Sequence, residues 1–80
     1  MIKHSLTING HRTSISLEEP FWQALREMAE QRQLPLSQLV SEIDQGRISN
    51  GRVEYGLSSA IRIYLLQAAR EAAGPGHQQP

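Results

Sequence analysis

His11-Arg12-Thr13-Ser14-Ile15-Ser16-Leu17 is the stretch on which the reading of this chain turns. From Arg12 onward it alternates: Thr13, Ile15 and Leu17 fall on one side, Arg12, Ser14 and Ser16 on the other. Successive side chains of a β-strand point to opposite faces, so this pattern predicts a strand with one apolar face and one hydrogen-bonding face. A lone strand leaves its backbone donors and acceptors without partners. The partner must come from residues 3–8 of the same chain or from a second copy.

Working outward, Asn9-Gly10 is a strong hairpin signal, because a type I′ turn needs positive φ at both central residues. Residues 3–8 (Lys-His-Ser-Leu-Thr-Ile) therefore read either as an extended arm or as the first strand of a hairpin. After Leu17, Glu18-Glu19-Pro20 opens a helix expected to run to about Arg32, with Glu18 as its cap. Phe21, Leu25, Met28 and Ala29 recur at helical spacing, and Trp22 is expected in the core, stapled to Leu17. Gln33-Leu34-Pro35 breaks that helix. A second one is expected from Pro35 or Leu36 to Asp44, with Leu36, Leu39, Val40 and Ile43 on its buried face. Ser37 is a candidate cap or anion donor there.

Residues 46–56 read as a polar connector with a short extended piece at Arg52–Tyr55, and Arg47 and Arg52 as solvated. A third helix is expected from Leu57 or Ser58 to Ala73. Its apolar stripe (Leu57, Ile61, Tyr64, Leu65, Ala68) is widened by Ala60, Ile63 and Leu66, broad enough to face both its own core and a partner subunit. Gly74-Pro75 ends it, leaving residues 74–80 as a disordered tail beyond a single domain of residues 1–73.

Eighty residues allow one small domain, and chains of this size often need disulfides, metals or oligomerisation for support. There is no cysteine, which excludes disulfides and thiolate metal sites and fits a reducing compartment. No apolar run approaches the roughly 20 residues of a membrane span, and no signal-peptide core is present, so a soluble cytoplasmic homodimer is expected. The net charge is zero, which argues against indiscriminate binding to polyanions. Residues 1–17 nonetheless hold Lys3 and Arg12 with no acid, while the rest carries six basic and eight acidic side chains. A small basic head on an acidic body suits local contact with an anion.

A strand with a polar and an apolar face, a helix, a break and a second helix resembles the ribbon-helix-helix family of bacterial repressors. The likeness is most specific from His11 to Trp22, where a His-Arg-Thr-Ser-Ile-Ser-Leu-Glu run leads into Pro-Phe-Trp. It extends to Leu34–Asp44 and to Leu57-Ser58-Ser59-Ala60-Ile61-Arg62, covering about residues 4–70. The resemblance implies an α+β, mostly helical fold: an intertwined homodimer whose strands pair into an antiparallel ribbon, two core helices, and here a third. It implies that the ribbon enters the major groove of DNA, with Arg12, Ser14 and Ser16 reading base edges. Thr13, Ile15 and Leu17 would sit inward with Trp22, Leu39, Ile43, Ile61 and Leu65 as core and dimer contacts. The amino end of the second helix, with Ser37 and Gln38, would meet phosphate, as would Lys3 on the arm. Pro35, lacking an N–H, departs from the Ser or Thr common there. The implied function is a transcriptional regulator, most simply a repressor, acting on a pseudo-palindromic operator.

An enzyme is not expected. His4, His11 and His77 lack metal-ligand spacing, and neither a nucleophile motif nor a phosphate-cradling Gly-rich loop occurs. No cofactor or metal is expected. The rival reading is a protein-interaction module, an antitoxin or a small dimeric adaptor, binding a partner protein through the third helix.

Overall fold

The computed structural model describes residues 1–49, 51–53 and 55–73. Strands β1 (Ile2–Ile8) and β2 (His11–Leu17) form an antiparallel hairpin whose register runs from Ile8↔His11 to Ile2↔Leu17. Asn9 (φ 52°) and Gly10 (φ 81°) both sit in the left-handed region, which the tight two-residue turn requires. Of the two partners open to the 11–17 strand, the chain itself supplies one. Residues 3–8 are a strand, extended by Ile2, and not a free arm.

Helix α1 (Glu19–Gln31) follows at once, with Glu18 extended at the cap (φ −66°, ψ 149°) and Pro20 in the first turn. Leu17 and Trp22, on either side of the cap, are both fully buried. The helix stops in a Schellman arrangement: Gln33 N–H donates to Glu30 O (3.0 Å) and Leu34 N–H to Ala29 O (2.9 Å). Gln33 takes φ 57° there, a position glycine usually fills.

Helix α2 (Leu36–Gly46) is capped by Pro35, whose carbonyl accepts the N–H of Gln38 (3.0 Å) and Leu39 (3.1 Å). Ser37 is therefore inside the first turn and does not cap the helix, since the fixed φ of Pro35 already sets the entry. The connector forms a small hairpin, β3 (Ile48–Ser49) with β4 (Arg52–Val53). Arg47, expected to be solvated, is instead bound to Asp44 (2.6 Å) and to the Tyr55 carbonyl (3.1 Å). Helix α3 (Leu57–Ala73) packs on α1, α2 and β2. The tail expected at 74–80 lies outside the described residues.

One apolar cluster joins all of these except the small hairpin: Ile8, Ile15 and Leu17 from β1 and β2, and the inner faces of the three helices. Trp22, Leu25, Leu39 and Ile61 are fully buried at its centre, with Ile43 and Leu65 at its margin. The cluster closes within a single chain, so burial of Ile15 (2 % exposed) needs no second copy. Among the described residues no buried side-chain polar atom lacks a partner, as a core this small demands. No described helix is long and apolar enough to cross a membrane.

Candidate nucleic-acid interface

The strand pleat sorts the hairpin into two faces. Ile15 and Leu17 of β2 are buried and Thr13 is half-buried against the helices, while Arg12 and Ser14 are exposed and Ser16 is half-buried on the other side. The expected division of β2 therefore holds residue by residue. The sequence reading did not anticipate that β1 contributes an equal outer row. Lys3, Ser5 and Thr7 are exposed and lie across from Ser16, Ser14 and Arg12 respectively. At the centre the Ser5 and Ser14 hydroxyls stand 3.5 Å apart.

The turn type fixes the backbone as well. A two-residue I′ turn closes on a hydrogen-bonded Ile8–His11 pair, and the antiparallel alternation then directs the odd-numbered groups of β2 toward β1. The N–H and C=O of Arg12, Ser14 and Ser16 face the free edge of β2. Ser58, at the start of α3, donates its hydroxyl to the Ser16 carbonyl on that edge (2.9 Å).

Each helix pins a different part of this hairpin. From α1, Trp22 Nε1–H donates to the Ile2 carbonyl (2.8 Å), and the His4 ring meets the Trp22 ring edge-on at 4.7 Å. Arg26 lies over the same indole, 5.9 Å from its centroid. From α2, Ser41 Oγ–H donates to Asn9 Oδ1 at the turn (2.8 Å), and from α3 Ser58 holds the far end of β2. The outer face is thus a supported platform and not a loose arm, which suits groups that must meet a ligand in fixed geometry.

Its electrostatics are simple. Lys3 and Arg12 make no ion pair among the described residues, so both charges face solvent. The nearest following acid, Glu18, is engaged by Arg62 through three contacts of 2.9–3.1 Å. Hydrogen bonding from its own backbone amide, and then from Arg62, holds the Glu18 carboxyl below its ordinary value. Arg62 also lies 5.7 Å from the centroid of the Phe21 ring. Strand β2 thus ends beside a carboxylate that Arg62 already engages.

The other expected phosphate contacts are less closely tied to this face. Ser37 (half-buried) and Gln38 (exposed) occupy the first turn of α2, and no hydrogen bond among the described residues joins them to the hairpin. It is the later part of α2, through Ser41, that touches the Asn9 turn. Ser58 and Arg62 stand in the Leu57–Arg62 stretch of the family likeness, but their contacts with the end of the hairpin were not expected from the sequence. Their i, i+4 spacing was the available signal, since it sets both on one face of α3, where both reach the end of β2.

The ribbon-helix-helix domain model matches residues 1–69, and the chain belongs to that family. No curated protein and no solved structure matches it. The domain is typical of DNA-binding transcription regulators and of antitoxins, is a regulatory DNA-binding module and not an enzyme, and generally binds DNA as a dimer.

Proposed function

We propose that this chain is a sequence-specific transcription regulator, a repressor, acting as a cytoplasmic homodimer on a pseudo-palindromic DNA operator with its β-ribbon in the major groove. The observation that carries this reading is the outward row Arg12, Ser14 and Ser16 on a strand whose alternate residues are locked into the core. Arginine can pair bidentately with guanine O6 and N7, and serine can donate to or accept from any base edge. At the amino end of α2, the N–H groups of Leu36 and Ser37 precede the first intrahelical bonds and, with the Ser37 and Gln38 side chains, suit a phosphate. Zero net charge points to moderate affinity that falls as salt rises. Fragments selected from genomic DNA supply the duplex for the test. Arg12→Ala should cost about 1–3 kcal/mol on that duplex and relax preference at one position. Equal weakening on selected and scrambled duplexes would make Arg12 a counter-ion only.

One observation favours a second reading, a protein-interaction module. Leu66 (58 % exposed) and Ile63 (36 % exposed) border an apolar groove between α1 and α3 that also includes Phe21 and Ala24. Tight binding of a partner protein across α3, with no DNA retained at low salt, would favour this alternative.

A further inference from the structure

We infer that the apolar groove between α1 and α3 receives α3 of a second copy of this chain, so that a two-fold layer of helices joins the dimer beneath its strands. This rests on the homodimer of the reading above, not on its DNA contacts, and names the surface that holds the two copies together.

The groove has the size and chemistry of a helix seat. It encloses about 450 Å³, lined by Phe21 and Ala24 from α1 and by Leu65, Leu66 and Ala69 from α3. A smaller hollow of about 230 Å³ shares Ala24, Leu65 and Ala69 with it and carries the seam on to Gln31 and Ala72. From Pro20 to Gln31 the seam follows α1 for about 16 Å, three turns of a helix. The one charged side chain lining the main groove is Arg62, and its guanidinium is already bound to Glu18. A partner chosen by charge would find nothing there to pair with. An apolar helix would leave no polar group stranded, as in the core of a homodimer interface.

The matching helix is α3 itself. Leu66 (58 % exposed) and Ile63 (36 % exposed) stand proud of it, while Ala24 and Ala69 leave room beside them. Ile63, Leu66 and Ala69 are three apart and follow one side of the helix. From Ile63 to Ala73 that side is about 15 Å long, the length of the seam it would fill. Projection and recess thus lie in one patch. A two-fold contact needs this, because the same surface must serve both copies.

The place of the groove points to the same occupant. The free edge of β2 carries unpaired backbone groups, and the family to which this chain belongs generally binds DNA as a dimer. Helix α3 stands on that edge: Ser58 donates to the Ser16 carbonyl, and Arg62, one turn later, binds Glu18 just beyond the strand. A carbonyl has two lone pairs, so the Ser58 contact leaves Ser16 able to pair with a second strand. The groove opens at Pro20, where the edge of β2 ends. A second copy that pairs along β2 is therefore carried onto α3.

The test is sedimentation equilibrium without DNA on wild type, Leu66→Glu, Leu66→Ala and Ile48→Glu, each checked for folding by circular dichroism. Ile48 is 51 % exposed on β3 and outside the groove, so it controls for placing a charge on an exposed apolar site. Wild type should be a dimer at micromolar concentration. Leu66→Glu should weaken association at least about a hundredfold, because the two-fold contact buries two unpaired carboxylates. Leu66→Ala should weaken it about tenfold, and it decides the matter if the glutamate variant does not fold. Ile48→Glu should associate as wild type does. Three results overturn the inference and leave the DNA-binding reading standing, since Arg12→Ala tests that reading separately. In the first, both Leu66 variants associate like wild type, which leaves the groove to the helix of another protein. In the second, Ile48→Glu weakens association as much as Leu66→Glu. In the third, Leu66→Glu splits a tetramer into dimers, so that the groove joins dimers and not the two copies within one. A folded wild-type monomer at that concentration removes the homodimer itself, and the inference with it.

Discussion

Ile15→Asp tests the assignment of strand faces on which the functional reading depends. Ile15 is 2 % exposed in the cluster formed by the hairpin and the three helices. Removing the aliphatic side chain gives up about 1.5–3 kcal/mol of burial. The carboxylate that replaces it finds no help, because the described core contains no buried polar or charged side chain to pair with it. An unpaired buried charge costs several kcal/mol more, whether it stays ionised or takes up a proton. Marginal stability of about 0.05–0.15 kcal/mol per residue gives a domain this size only about 4–12 kcal/mol in total. The substitution should therefore unfold most of the population at 25 °C. Ser14→Ala, one position away, removes an exposed hydroxyl whose side-chain hydrogen-bond partner among the described residues is Ser5 at 3.5 Å, and should change stability by less than about 0.5 kcal/mol. Urea titrations followed by circular dichroism measure both. If Ile15→Asp unfolds at nearly the wild-type midpoint, the inward and outward rows are exchanged and Arg12, Ser14 and Ser16 cannot be readers.

Three further substitutions probe the supports of the hairpin and the helix ends. Gln33→Gly relieves a left-handed residue at the end of α1 and should raise stability by about 0.5–1 kcal/mol, seen as a melting temperature several degrees higher; a lower one would contradict the Schellman end. Glu18→Gln removes the Arg62 pair. Because hydrogen bonds from its own backbone amide, and then from Arg62, hold the folded-state pKa of Glu18 below its ordinary 4.5, these contacts together stabilise the fold above that value. That contribution fades as pH falls through the lower, folded-state value. Acid titrations should therefore show a loss of stability below about pH 4.5 in wild type that the variant partly lacks; identical acid profiles would count against the pair. Trp22→Phe deletes the donor to the Ile2 carbonyl and should cost about 1–3 kcal/mol, with faster amide exchange at the start of β1 as its local signature. Unchanged exchange there would mean that Trp22 does not hold the strand.

Short-range patterns in the sequence were enough for the local elements. The alternation from Arg12 to Leu17 sets which side chains share a face, Asn9-Gly10 sets a turn with positive φ, and Leu39, Val40 and Ile43 mark the buried side of α2. Each depends on residues within a turn or a strand of one another, where backbone periodicity alone decides geometry. Which strand pairs with β2 was not settled by that logic, since an arm and a hairpin share the same residues. The tertiary structure decides for β1 because Ile8 enters the common core and Trp22, twenty residues away, captures the Ile2 carbonyl. The contacts that complete the interface are longer still in sequence: Ser58 to Ser16 spans 42 positions and Arg62 to Glu18 spans 44. A hydroxyl and a guanidinium on a helix face carry no mark of their distant partner until packing brings α3 against β2. The chemistry of the outer face was therefore legible on the strand, and its second row and its supports emerged only when the chain closed around one core.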